Sequence, residues 1–448
     1  MILFGIHTKL SPYALHLVII PSFLPLKYVN IHIIDSIIHG LIVFINLSPL
    51  FKYRDYRLLY LGQFVSLVGC MLTYVALPYQ IYQLTHSSLS VGNVGIIQLI
   101  PLLVTSLWGG ALADKYNRKK LLICAEFALA SACLLLLINS LSSTPHLWII
   151  YVAAGFASAF NGFHRPTLEA ITQVTVDRSD LPAVSSLGTF KTSSTMILGP
   201  ALAGLLLAKF NVSSVYFIDL CTYLVSLAAI LSIKIPFNIK VNTESMLGSI
   251  KQGMRYAASR QELLGSYFVD FVAMIFGMPM ALFPAIAAAY HSAPALGWLY
   301  AAPSAGMLVT TIISGWTHKI HRHGVAIAWS ASIWGIAIIA FGFTHNLLLA
   351  LFFLAIAGAA DGVSGIFRLT LWNQTIPPNY RGRLAGIEMI SYMSGPLLGN
   401  AEAGIVAAAC GTQFSVISGG ALCVISVIIL ACLLPRFRQY SSLKIEKN

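Results

Sequence analysis

The chain has 448 residues, of which 57% are hydrophobic and 9% charged, with a mean hydropathy of +0.80. Soluble domains carry roughly 25% charged residues, so this chain cannot cover itself with polar surface, and its solvent is the bilayer. A formal charge of +12 would raise the question of nucleic acid in a soluble protein, but the placement of the charges along this chain excludes that partner.

Residues 1–50 form an N-terminal extension whose apolar pieces are interrupted by Pro21, Pro25, Lys27 and Asp35. It reads as an interfacial or poorly ordered segment, an extra helix, or a signal peptide. From there on, apolar stretches of about 20 residues recur, each long enough to cross a hydrocarbon core about 30 Å thick. Twelve are expected, starting near Arg57, Leu89, Lys119, Leu147, Leu181, Asn211, Leu263, Ala295, Val325, Leu347, Leu384 and Phe414.

Lys and Arg sort by loop parity. One side holds Lys52, Arg54 and Arg57, then Lys115, Arg118, Lys119 and Lys120, then Arg178, Lys319, Arg322, Arg381, Arg383 and the tail from Arg436. The other side holds Lys209 and almost nothing else. This positive-inside asymmetry predicts cytosolic basic loops, a cytosolic connector and a cytosolic C-terminus.

Between 235 and 262 the chain turns polar and suits a short amphipathic helix on the membrane surface. It divides a first half, 51–234, from a second half, 263–435, with a tail at 436–448. The halves echo each other. Arg165-Pro-Thr-Leu in the fourth span matches Arg368-Leu-Thr-Leu in the tenth, and Gly199-Pro200 in the fifth matches Gly395-Pro396 in the eleventh. Two echoes in the same order at matching spans predict a duplicated six-helix unit around a central site. The expected fold is therefore an all-α polytopic membrane protein of twelve helices in two pseudo-symmetric halves.

Ionisable groups at membrane depth need a partner, a water-filled cavity or a function. Asp361 lies roughly 20 Å into the tenth span, and Arg368 is roughly 10 Å deeper on the same face. That separation predicts no tight ion pair between them, with Arg368 snorkelling toward the interface as a scaffold charge. Asp361, Asp270 and Asp219 are the candidates for proton or substrate coupling. Glu126, Glu388 and Glu402 read as lying near helix ends or the outer third, and Arg165, Arg368 and Glu388 as scaffold charges. Asn373 and Gln374 are expected to cap the exit of the tenth helix. Tyr74, Gln98, Phe276, Trp298 and Trp372 are candidates to line a cavity.

His318, His321 and His323 lie in a basic loop without a nearby Cys or carboxylate, and no metal is expected there. The seven cysteines are scattered singly, with no zinc spacing. No Gly-rich Lys-Ser/Thr phosphate loop is present, so direct ATP drive is not expected. The His164 to Glu169 spacing admits a remote alternative, a membrane acyltransferase.

The most specific motif is Gly109-Gly110-Ala-Leu-Ala-Asp114-Lys115-Tyr-Asn117-Arg118-Lys119-Lys120, a close-packing glycine pair, an acid and a basic turn in which Asn117 stands where a left-handed residue is wanted. With Tyr60-Leu-Gly-Gln-Phe, His164-Arg-Pro-Thr-Leu-Glu169, Gly297-Trp-Leu-Tyr-Ala-Ala302 and Arg381-Gly-Arg-Leu-Ala-Gly-Ile-Glu388, it resembles the major facilitator superfamily, in the branch of siderophore and drug exporters. The resemblance covers about Phe51 to Phe437. It implies a secondary transporter of the cytoplasmic (inner) membrane that works by alternating access as a functional monomer. The implied cargo is a small organic molecule, a catecholate siderophore first and a drug or macrolide as the alternative. The implied drive is the proton gradient, with no cofactor and no enzymatic activity. It also implies a gating latch of Gly110, Asp114, Arg118 and Lys119, to which Glu169 is a plausible added partner. Gly199-Pro200 resembles an antiporter motif and predicts a pliable contact between the halves.

Overall fold

The computed structural model describes residues 46–234, 246–290 and 293–441, and within these the side chains of 107–115, 246–251, 253, 293 and 378–391 lie outside the described set. Expectations for 1–45 and for the first part of the connector fall outside the described residues.

Apolar runs bounded by basic turns and Pro or Gly give long helices. These are α1 (Arg54–Thr85), α2 (Ser88–Lys115), α3 (Arg118–Leu141), α4 (Leu147–Val174), α5 (Leu181–Lys209) and α6 (Val212–Ser232) in the first half. The second half has α7 (Gln261–Phe276), α8 (Ala293–Ile312), α9 (His323–Gly342), α10 (Leu347–Thr375), α11 (Pro378–Cys410) and α12 (Thr412–Leu433). Eleven spans among the described residues are long and apolar enough to cross a membrane by length and composition, and α11, at 33 residues, occupies the remaining place. The expected starts agree within three residues except for α11, which begins six residues earlier than Leu384. Pro377 and Pro378 initiate that helix, and an amphipathic polar first turn hides its start from a hydropathy count.

The span begun by α7 is broken. After Phe276 the chain unwinds through Gly277 and Pro279 before a second short helix, Phe283–Ala289. Backbone freed inside a bilayer needs new partners. Trp334 Nε1 donates to Gly277 O (2.7 Å), Tyr300 Oη donates to Met280 O (3.0 Å), and Ala281 N donates to Asn400 Oδ1 (3.1 Å).

Glycines set how the helices meet. Gly62 and Gly69 bring α1 against α6, where an added Cβ would lie 2.8 Å from Ala229 Cβ and 2.0 Å from Thr222 Oγ1. Gly199 packs on Met71 of α1, and Gly395 packs on Met274 of α7. Gly199 and Gly395 thus seal equivalent contacts inside their own halves, while the carbonyl of Pro200 lies against Gly297 of α8, so the Gly199-Pro200 motif touches both halves. The junction between the halves continues one turn further on. Gly204 and Pro200 O meet Gly297 of α8, while Gly92 of α2 meets Gly404 of α11, and Gly95 faces Leu397 O.

All of these junctions lie near the ends of the helices away from the basic loops. Nearer the basic loops, Gly188 of α5 has open space where a Cβ would project. Among the described residues the glycine contacts that join the halves lie on the far side.

The chain from Pro435 to Tyr440 does not behave as a free tail. Phe437 is fully buried against Gly265, with its carbonyl against Gly324. Tyr440 Oη donates to Gln374 Oε1 (3.1 Å), and Arg436 N donates to Gln261 Oε1 (3.0 Å). Gln374 therefore holds the C-terminal segment instead of capping α10. Two glycines without side chains leave the socket that Phe437 fills, so the second half extends past 435.

On the basic side, Tyr53 Oη donates to Asp177 Oδ2 (2.6 Å) and Asp180 Oδ2 (2.7 Å), and Lys52 Nζ lies 3.3 and 2.9 Å from the same atoms. The Tyr53 hydroxyl, with Lys52 beside it, holds the Asp177 carboxyl below its ordinary range. A depressed carboxyl contributes stability above its unfolded value, near 3.9, and the contribution is lost as pH falls through the folded value. Hydrogen exchange at 48–53 and 175–181 is accordingly expected to rise only below about pH 4. Tyr53→Phe should move that onset upward, and an unchanged onset would remove Tyr53 from the clamp.

Candidate functional site

In the second half, α10 carries Asp361 and Arg368 two turns apart on one face, and α7 brings Asp270 opposite them. Arg368 Nη1 is paired with Asp270 Oδ1, and Arg368 Nη2 lies 3.3 Å from Asp361 Oδ1. Arg368 is 8% exposed and Asp270 7%. This corrects the expectation that Arg368 snorkels away from Asp361. Its long stem folds back along the helix because a second acid from α7 makes the buried position worth occupying, and snorkelling would leave two carboxylates uncompensated. Asp361, Asp270 and Arg368 are one cluster, not coupling acids plus a separate scaffold charge. In the first half, Ser158 lies seven residues before Arg165, as Asp361 lies seven before Arg368, and it donates to Gln98 O (2.7 Å).

The first half has its own polar centre. Asp219 of α6 is 1% exposed, and it is held by neutral donors: Thr73 Oγ1, Thr222 Oγ1 (3.3 Å) and Cys133 Sγ (3.6 Å). It borders a cavity of about 190 Å³ lined in part by Tyr74, Gln98, Asn161, Tyr223, Tyr300 and Asn400. Tyr74 and Gln98 thus take the expected place. Phe276, Trp298 and Trp372 do not line this cavity; Trp298 is exposed, and Trp372 stacks on Tyr267 at 5.2 Å.

Glu126 is the residue that sequence reasoning misplaced. It is not near a helix end but 1% exposed where α1, α3, α4 and α6 converge. Gln63 Nε2 and Ser226 Oγ (2.8 Å) donate to its Oε1, and His164 Nε2 lies 3.3 Å from the same oxygen. The available signal was its depth, eight residues or about 12 Å inside α3.

The remaining candidates separate. Glu169 lies 3.6 Å from Arg165 on its own helix, with both side chains largely exposed, and His164 pairs with Glu126 instead. The spacing that admitted an acyltransferase joins no pair. Lys119 Nζ donates to Leu231 O (2.8 Å) and Ile233 O (2.6 Å), holding the C-terminal carbonyls of α6. Asn117 is not left-handed. At φ −62° and ψ 112° it caps α3, its side chain accepting from Lys120 N (3.2 Å), because an extended Asn satisfies a free helix N–H. Gly110, Asp114 and Glu388 lie outside the residues whose side chains are described. Among the described residues no group of His, Cys, Asp and Glu is placed to hold a metal ion.

Comparison with known proteins places this arrangement. The chain is 30% identical over 405 residues to the enterobactin exporter EntS of Shigella boydii serotype 18, covering 88% of this chain and 96% of the relative. It is 28% identical over 399 residues to the enterobactin exporter EntS of Citrobacter koseri, with the same coverage. Among solved structures it resembles a mutant of the nucleoside transporter NupG (TM-score 0.70, 12% identity, 85% of this chain and 99% of that one). It also resembles a bacterial homolog of the human lysosomal transporter Spinster in an inward-facing, unoccupied conformation (TM-score 0.66, 12% identity, 86% and 96%). At such identities the structures establish the fold alone. Residues 45–447 match the family of transmembrane secretion effectors. The chain is therefore a multi-pass membrane transporter, not an enzyme, and belongs to the transmembrane secretion effector family of the major facilitator superfamily.

Proposed function

We propose that this protein exports a catecholate siderophore across the cytoplasmic (inner) membrane by alternating access, in exchange for protons. The carrying observation is likeness to enterobactin exporters along nearly the whole of both chains. The basic loops and the C-terminus lie in the cytosol under this reading, so cargo is loaded from the side that carries them. Two membrane-buried acid systems, Asp361 and Asp270 around Arg368 and Asp219 beside the cavity, supply groups able to exchange protons as the halves rock. Each chain contains both halves and so works as a monomer, with the lipid bilayer as its surroundings and the proton gradient as its drive. No cofactor is invoked.

One observation favours the drug-efflux alternative. The cavity wall is mostly apolar and aromatic with the amides of Gln98, Asn161 and Asn400, and Asp219 is its acid; when ionised, that carboxylate suits an organic cation better than an acidic catecholate.

Extracellular metabolite profiling of a deletion strain, grown with and without iron, separates the two. The siderophore reading expects less siderophore outside the cells, with accumulation inside, under iron limitation. Unchanged siderophore levels together with raised sensitivity to cationic drugs would favour the alternative.

A further inference from the structure

The interface of α1 and α6 is polar along about half the thickness of a hydrocarbon core. On α1, Gln63, Ser66, Cys70 and Thr73 recur at helical spacing on one face, a run of about 15 Å. On α6, Asp219, Thr222 and Ser226 form the opposing face, and all three are buried. The helices run antiparallel, so Thr73 meets Asp219 at one end, and Gln63 Nε2 meets Ser226 Oγ (2.8 Å) at the other. Gly62 and Gly69 allow the approach.

Polar pairs between membrane helices commonly serve as weak glue. Hydroxyls and amides suffice for that purpose. Two carboxyl groups in the same seam are far more costly than glue requires. Within the seam, Asp219 has no cation in salt-bridge reach among the described residues, and Glu126 faces only His164. Three donors crowd Glu126 Oε1, while Oε2 is buried without a hydrogen-bond partner among the described residues. His164 retains 13% side-chain exposure, so one end of the pair reaches accessible space.

The other titratable groups near Glu126 are Cys70 of α1, and Asp219 and Tyr223 of α6. Those near Asp219 are Cys70 of α1, Cys133 and Glu126 of α3, and Tyr216 and Tyr223 of its own helix. None of these is a base that could neutralise an acid permanently. A proton held between Glu126 and His164 makes the pair neutral overall, and its release leaves a carboxylate beside a neutral imidazole.

We propose that Glu126 and His164 form a proton-binding pair in the first half, linked along the α1–α6 seam to the cavity carboxylate Asp219. Its part in coupling rests on the antiport reading above; its existence as a titrating site does not. The second-half cluster differs in kind, because its two acids share a permanent cation, Arg368.

Infrared difference spectroscopy of the full-length protein in lipid, titrated in pH without substrate, reads protonated carboxyl groups by their carbonyl stretch. One titrating band should vanish in Glu126→Gln, a different one in Asp219→Asn, and the midpoint of the Glu126 band should shift in His164→Gln. A Glu126→Gln spectrum superimposable on wild type overturns the proposal, as does a Glu126 band unmoved by His164→Gln. Should Glu126→Gln fail to fold, Ser226→Ala keeps the acid and removes a donor to Oε1; a titration left unchanged by it overturns the proposal equally. The coupling role is read in proteoliposomes with enterobactin as the probe. Glu126→Gln should lose the flux driven by an imposed pH gradient while keeping exchange at equal pH. Wild-type protein that carries enterobactin down its own gradient, but ignores the pH gradient, sinks the antiport reading and leaves the infrared assignment to be judged by itself.

Discussion

Arg368→Met is expected to destabilise the second half by about 3–5 kcal/mol, the usual cost of stranding buried charge by removing one partner, and to abolish substrate accumulation. The guanidinium is shared by Asp270 of α7 and Asp361 of α10, so its loss leaves two carboxylates facing each other in a low dielectric. Arg368→Lys should recover only part of the stability, since an ammonium is a point charge that cannot fork between two acids. The informative variant is the triple change Arg368→Met, Asp270→Asn and Asp361→Asn. A neutral, hydrogen-bonded replacement of a buried charge cluster is often tolerated, so thermal unfolding in detergent should return close to wild type. Accumulation driven by a pH gradient should stay lost if these acids exchange protons. A triple variant that unfolds early would mean that the cluster specifies the packing of α7 on α10. One that transports normally would remove the cluster from coupling.

A second large effect is expected at the junction of the halves. A Cβ at Gly95 would lie 2.1 Å from Leu397 O, and that neighbour is backbone, with no rotamer to change. Gly95→Val should therefore leave each half folded while the far-side closure is lost. Overpacking of this kind costs about 1–3 kcal/mol, which shifts a two-state equilibrium about 5- to 150-fold. The readout is a Tyr74→Cys reporter in a background without the seven native cysteines, because Tyr74 lines the cavity beneath the closure. With Gly95→Val present, an impermeant thiol reagent applied from the far side should label the reporter, export should fall, and the wild-type junction should protect it. Equal labelling with and without the substitution would show that Gly95 does not control the closure.

The spans were legible in the sequence because hydrocarbon thickness and the absence of water within it act on each segment separately. A run of 20 apolar residues means much the same whatever surrounds it. The charge sorting of Lys and Arg was legible for a similar reason, since it is a sum over loops and needs no contacts. Even the echo of Gly199-Pro200 in Gly395-Pro396 could be read, although its use could not. The partner of a glycine is a residue on another helix, Met71 in one half and Met274 in the other.

The polar groups divide along that same line. Asp361, Asp270 and Asp219 stood out because an acid in an apolar run is costly wherever it sits. Which of them has a cation was decided only when α7 and α10 met around Arg368, and α1 met α6 around Asp219. Glu126 and His164 are 38 residues apart on different helices, and no periodicity connects them. The sequence by itself determined how many helices cross, where they turn and that buried acids exist among them. Only the tertiary structure decided which acids share a charge, which is left with His164, and where the two halves touch, because those outcomes depend on helices packing across the membrane, not on any one segment's transfer from water.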